Sequence, residues 1–365
     1  MDNFKFYTWG LVTLVVANYI ILLLACFYLE PPTGDTTRVS GYSENDYGWN
    51  VPQKAFAQLP APLQEVYDHY ADILVVGDSF SFGGVLGMMN YPWQSFLTAE
   101  TGWSVSTVSH YTTKTNPPSY DPTIIPQIVN SDTFQKTPPK VFVLEVVERQ
   151  LNILPKISGE CKVTNKIHEY ESPELRPISN MMPIIDVFRD NNRPPLNKRY
   201  AYAVDYLDTL FHLNYGDTRA FLFDLKMDKL FSSKKSGILL VYEGDVKKKN
   251  WNDHFVEDIR CRLINFQNLV QKNGKTLFVV MVAPDKLTTY SPLLKDASSA
   301  KYSPISRLSS DKSLHLPRFD LPLQSAVTKE GVVDLYLPND THWAGKGQQI
   351  AAKTLLQFLL EFSGD

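Results

Sequence analysis

Two short stretches, far apart along the chain, carry side chains suited to acyl transfer. The first is Gly77-Asp78-Ser79-Phe80-Ser81, preceded by the apolar run Ile73-Leu74-Val75-Val76 and followed by Gly83-Gly84. A serine in a glycine-containing turn between a buried strand and a helix presents its hydroxyl to the crevice at the strand end, where adjoining N–H groups can stabilise an oxyanion. Ser79 is the candidate nucleophile, the alternative being a serine that merely caps an ordinary helix. The second stretch is Asn339-Asp340-Thr341-His342-Trp343, ahead of Gly345 and Gly347. An aspartate and a histidine two positions apart on an extended loop can face one serine together. The imidazole then acts as general base, while the carboxylate fixes its tautomer and stabilises imidazolium.

These groups need a scaffold, and 365 residues with 44% hydrophobic side chains can bury a full core. Ile73 to Gly77, Val141 to Val146 and Thr276 to Ala283 are continuous apolar runs, the pattern of strands buried on both faces of a parallel sheet. Helical patterns lie at about 62–70, 92–101, 252–272 and 345–362. The alternation predicts an α/β sandwich with its ligand crevice at the carboxyl ends of the strands, so residues just after Val76, Val143 and Val282 gain weight. Residues 30–50, rich in Pro, Gly, Ser, Thr and acidic side chains, read as a linker, and the domain spans 51–365. Between about 153 and 249 the alternation gives way to Pro-, Asn- and Lys-rich sequence, an expected insertion over one side. The Lys247-Lys248-Lys249 run reads as a solvated face, with contact to an anionic polymer or headgroup as the sharper alternative.

Residues 6–29, 24 in all, carry no charge and are long enough to cross a hydrocarbon core of roughly 30 Å as a helix. Phe6, Tyr7 and Trp9 stand at one end of the segment and Phe27 and Tyr28 at the other, and no Ala-x-Ala site follows it, which favours an uncleaved single-pass anchor. A buried core helix and lipoprotein processing at Cys26 are the alternatives. Lys5 on one side against Glu30, Asp35 and Arg38 on the other predicts a cytoplasmic tail at 1–5 and an outward-facing body. In a bacterium that compartment is the periplasm or cell exterior, where Cys161 and Cys261 can form a disulfide and no soluble cofactor pool is at hand. The three cysteines lack CxxC spacing, so neither a zinc site nor a disulfide-rich scaffold is expected, and no residue is assigned as a metal ligand. A formal net charge of −3 argues against a nucleic-acid partner and leaves small molecules and polysaccharides open.

Gly77-Asp-Ser-Phe-Ser81 with Asp340-Thr-His342 resembles the SGNH (GDSL-like) hydrolase superfamily, and three further segments resemble its alginate-type polysaccharide O-acetyltransferase group. Leu144-Glu145-Val-Val-Glu148-Arg149-Gln-Leu151 is similar to that group's Trp-Glu-x-Pro-x-Arg-Tyr-Leu segment. Ala283-Pro284-Asp-Lys286-Leu-Thr-Thr-Tyr290-Ser-Pro292 is similar to its Pro-x-Lys-x-x-x-Tyr-Pro segment, and Asp340-Thr-His-Trp343 to its Asp-Thr-His-Trp signature. The chain departs from the group twice. Its Asp-Thr-His-Trp segment follows the serine motif instead of preceding it, and the superfamily's Gly-x-Asn-Asp block is absent after the run ending near Val143.

The resemblance implies a three-layer α/β/α sandwich with a mainly parallel sheet. It also implies an O-acetyltransferase of the inner membrane, whose periplasmic body moves an acetyl group through a Ser79 acyl-enzyme onto an exported polysaccharide. The acetyl donor would be a membrane-bound O-acyltransferase. With no asparagine donor, the oxyanion would fall to the Ser79 N–H, the Ser109 to Tyr111 region or Arg149. Glu145 and Arg149 are expected either to contact substrate or to form an ion pair bracing the crevice. Lys286 and Tyr290 are expected in loop structure or substrate binding, and Trp343 on a sugar ring or in packing. The alternative functions are a carbohydrate acetyl esterase and a non-catalytic polysaccharide-binding component of a secretion complex.

Overall fold

The computed structural model describes residues 2–28, 32–57, 63–64, 67–82, 92–112, 119–121, 123–165, 167–168, 170–176, 183–189, 196–210, 220–296, 298 and 303–362. Four parallel strands form the centre: β1 (Ile73–Gly77), β2 (Val105–Ser109), β3 (Val141–Val147) and β4 (Leu277–Ala283), in the spatial order β2-β1-β3-β4. A two-residue strand, Leu63–Gln64, extends the β2 edge in parallel where the sequence predicts a helix over 62–70, of which 62, 65 and 66 lie outside the described residues. Every residue of β1, β3 and β4 is buried, which is why these runs are apolar without alternation, with Glu145 the exception.

Successive side chains of these strands feed two different cores. Ile73, Val75, Val143, Val279 and Met281 pack with helices α2 (Trp93–Thr101) and α4 (Gly345–Glu361) through Leu97, Ala351, Leu355 and Leu359. Leu74, Val76, Phe142, Leu144, Phe278 and Val280 join a second cluster with Ile128, Phe134 and α3 (Asp253–Val270) through Ile259, Leu263 and Phe266. Asn252 starts α3 by accepting the Phe255 N–H at 2.9 Å, a side-chain N-cap. Strand β2 lacks a continuous apolar run, because Ser106 and Thr107 are buried with polar partners such as Gln94.

The apolar N-terminal helix α1 (Asp2–Tyr28) contains a 25-residue stretch, Phe4–Tyr28, long and apolar enough to cross a membrane. Its last turns lie against the helix Leu196–Leu210, where Arg199 reaches the Cys26 carbonyl and lies over the Phe27 ring.

Residues 35–50 correct the expectation of a loose linker. Asp35–Ser40 and Glu44–Tyr47 are short helices, and Thr36, Thr37, Glu44 and Trp49 are buried in the body. Glu44 accounts for this, accepting hydrogen bonds from Thr33, Thr37 and Asn339 side chains at 2.5, 2.8 and 2.6 Å and pairing with Arg189. Pieces of the expected insertion pair outside the central sheet: Ile184–Val187 with Gln53–Phe56, and Ala220–Asp224 with Ile238–Tyr242, both antiparallel. A Cys161–Cys261 disulfide fastens this region to α3.

Candidate active site

The strand order reverses between β1 and β3, since β1 is followed in sequence by β2 on one side and β3 lies on the other. In open parallel sheets such a switch point leaves a crevice at the carboxyl ends of the two strands. Ser79 stands just past β1 and Glu148 and Arg149 just past β3. Across β4, the same level holds Asp285 and Lys286.

Ser79 opens a one-turn helix, Ser79–Phe82, and the turn is fastened from beneath. Asp78 Oδ1 accepts the Phe80 N–H at 2.9 Å and Oδ2 the Val147 N–H at 2.8 Å, tying the turn to the end of β3. Glu145 Oε2 accepts the Asp78 N–H at 2.9 Å and the Ser81 hydroxyl at 2.7 Å. Burial and the neighbouring Asp78 carboxylate hold Glu145 well above the usual carboxylate range. Gly77 is required by this close approach, because a Cβ there would meet Ser81 Oγ at 2.5 Å and Glu145 Oε2 at 2.8 Å. Glu145 therefore braces the serine turn and does not pair with Arg149, which corrects the ion-pair expectation.

Ser79 and the loop after Leu337 meet. His342 Nε2 lies 2.6 Å from Ser79 Oγ, and Nδ1 lies 2.6 Å from Asp340 Oδ1. The carboxylate only accepts, so Nδ1 donates and Nε2 is left to accept the serine proton. Burial alone would raise Asp340, but the adjacent His342 and the N–H groups of Asp35 and His342 pull it well below the usual range. Burial opposes protonation of His342, and the Asp340 carboxylate outweighs it, so the imidazole pKa is raised. Asp340 Oδ2 also accepts the Asp35 N–H at 3.0 Å. The ligand atoms of Asp35, Asp340 and His342 lie within 4.8 Å of one another, near enough to share a cation. Nδ1 and both Asp340 oxygens already hold hydrogen bonds, so the cluster reads as an acid–base pair.

The loop rests on Lys286, whose buried ammonium donates to the carbonyls of Leu337, Pro338 and Asp340 at 2.8, 2.8 and 3.1 Å. Burial pushes this lysine down to about 7 against the pull of Asp340. Lys286 thus supports the acid–base loop from inside, which removes it from substrate contact. Tyr290 and Trp343 are likewise sealed in the core, Tyr290 against Phe231 and Tyr336, Trp343 edge-on to Phe80. Neither faces the crevice. The Tyr111 side chain lies outside the described residues, and the neighbouring His110 N–H is already committed to the Gly77 carbonyl at 3.0 Å.

Arg149 lies beside the triad, with Nη2 3.4 Å from Thr341 Oγ1, and is anchored by Asp285 at 2.8 Å and Asp245 at 3.4 Å. Lys248 completes the cluster, 2.7 Å from Glu148 and 2.5 Å from Asp285 and only 2% exposed. The middle lysine of the Lys247–Lys249 run is thus buried, because two buried carboxylates demand a counterion. Burial and the Asp285 charge push Asp245 up to about 7, against Arg149 and Lys248. Sequence reasoning missed Asp35, Glu44, Asp245 and Asp285 as parts of this site. Asp285, two residues past the end of β4, lies where the crevice rule gave weight; Asp35 carries no local signal.

Comparison of the chain with protein-family models, with curated proteins and with solved structures gave no match.

Proposed function

We propose that the chain is a membrane-anchored, serine-dependent acyltransferase that takes an acetyl group onto Ser79 and passes it to a hydroxyl of an exported polysaccharide. The observation that carries this reading is the continuous hydrogen-bond chain Ser79–His342–Asp340 at the sheet's switch point. The strand order and the two cores on opposite faces of the sheet support the three-layer sandwich of the SGNH group, and with it the resemblance on which the acetyl group and the polysaccharide rest. The apolar helix α1 and the Cys161–Cys261 disulfide support an inner-membrane anchor with a periplasmic body. The acetyl donor in this reading is a membrane-bound O-acyltransferase.

His342 Nε2 takes the Ser79 proton as Oγ attacks the acetyl carbonyl. The imidazolium, stabilised by Asp340, returns that proton to the departing donor group, leaving acetyl-Ser79. The acceptor hydroxyl then loses its proton to Nε2 and attacks the acyl-enzyme, and the proton passes to Ser79 Oγ as it leaves. The negative oxygen formed in each step is met by the Ser79 N–H, which has no i−4 carbonyl at the start of its one-turn helix. The nearby Arg149 guanidinium adds a fixed positive charge.

The test is release from a chromogenic acetyl ester by the full-length protein in detergent. Ser79→Ala should abolish release at an unchanged melting temperature; near-full release by that variant removes the nucleophile. Mass analysis with an oligosaccharide acceptor then separates transfer from hydrolysis, the outcome when water reaches the acyl-enzyme first.

A further inference from the structure

Residues 33–44, which come shortly after the apolar helix, close around the acid–base pair on the Nδ1 side of His342. The Asp35 N–H donates to Asp340 Oδ2 at 3.0 Å, and its carboxylate Oδ2 lies 3.6 Å from His342 Nδ1. The next two N–H groups, of Thr36 and Thr37, donate to the Asn339 carbonyl at 3.1 and 3.3 Å. Glu44 locks the same two segments together by accepting from Thr37 Oγ1 and Asn339 Nδ2. His342 therefore has two carboxylates beside one nitrogen, one from its own loop and one from the membrane-proximal segment.

We propose that Asp35 is a positioning residue of the triad: its N–H orients Asp340, and its carboxylate adds a second negative charge that favours the imidazolium formed when His342 accepts the Ser79 proton. The proposal rests on the reading of the site given above. The charged groups that bear on His342 are Asp340 and Asp35, which favour imidazolium, and Arg149, which opposes it. Lys286 acts at one remove through the Asp340 carbonyl, and Arg38 partly neutralises Asp35 from 2.7 Å. Arg38 is the more exposed partner of that pair, at 42% against 20%, so Asp35 keeps most of its influence on the buried ring.

Two variants push the ring in opposite directions. Asp35→Asn keeps the backbone donor and removes the charge; Arg38→Gln removes the competing cation. The readout is the titration of His342 in full-length protein in detergent, by NMR of histidine-labelled chain with the resonance assigned through His342→Gln, alongside the acid limb of kcat/KM on the chromogenic ester. Asp35→Asn should lower the His342 pKa by ~0.5–1 unit, the size of a single charge at this separation under near-aqueous screening, and move the acid limb with it. Arg38→Gln should raise both by a smaller amount. A His342 pKa unmoved in the two variants, or moved in one direction by both, overturns the proposal, as does a fall in melting temperature with no titration shift. If Asp35→Asn does not fold, the sign of the Arg38→Gln shift decides. Because NMR titration needs no turnover, opposite shifts in a protein without serine-dependent release would uphold the electrostatic role of Asp35 while rejecting acyl transfer.

Discussion

Gly34 joins the segment that follows the apolar helix to the acid–base loop at a distance no other residue tolerates. Its backbone, at φ −98° and ψ 156°, lies in the extended region that alanine adopts freely, so Gly34→Ala introduces no dihedral strain. The added Cβ would instead stand 2.1 Å from the Asn339 carbonyl oxygen and 2.5 Å from its carbon. Ordinary contact is about 3.5 Å, and the two segments must part by more than ~1 Å. Parting stretches the Thr36 and Thr37 bonds to Asn339 and shifts Asp340, the next residue. Overpacking of this kind costs about 1–3 kcal/mol, a fall of roughly 2–6 °C in melting temperature for a body this large. Misplacement of the His342–Asp340 pair by an ångström costs on the order of 100-fold in turnover. The assay is kcat/KM on the chromogenic ester, per folded molecule, beside a thermal melt. Gly10→Ala in α1, where a Cβ meets nothing within 4 Å, is the control and should match wild type. Turnover by Gly34→Ala within about twofold of wild type would refute the coupling of this segment to the triad, whatever happens to the melt.

Further expectations concern the charges around the site. Since the imidazole must be neutral to accept the serine proton and its pKa is raised, kcat/KM should climb through a limb above the ordinary histidine value of about 6.5. Asp340→Asn should move that limb to lower pH, because burial then acts unopposed by the nearer carboxylate, and cut kcat/KM by roughly 10³–10⁴; a pH–rate profile checks both. The same raised pKa stabilises the fold below about pH 6.5 and is lost as pH rises through the folded value. The stability gap between wild type and His342→Gln should therefore narrow with rising pH in denaturant titrations. Lys248→Met leaves Glu148 and Asp285 without their 2.7 and 2.5 Å partner and should destabilise by about 3–5 kcal/mol. Lys247→Met, at an exposed position, should stay within about 0.5 kcal/mol; equal effects of the two would show that Lys248 is solvated after all.

Three strands, three of the four expected helices and the membrane-length segment could be read from residue order, since each depends on a run of neighbours: β1, β3 and β4 are apolar, Glu145 of β3 excepted, because both faces are covered. Ser79, Asp340 and His342 were legible for a similar reason, as their chemistry is written in motifs of three to five residues. Other elements carry weak or misleading local signal. Strand β2 hides behind serine and threonine whose polar groups find partners only in the fold, and the polar composition of 35–50 looks like solvated chain until Glu44 gathers its donors. Which cation neutralises which carboxylate was decided by tertiary structure alone. Glu145 turned to the serine turn, Arg149 to Asp285, and Lys248 left its exposed neighbours for Glu148. Coulomb and desolvation energies depend on distance in space, and the partners here lie between 37 and 136 positions apart, or at Ser81 and Glu145 64 apart. For the same reason Asp35, 305 positions from Asp340, became part of the site only when folding brought the two within 3.0 Å.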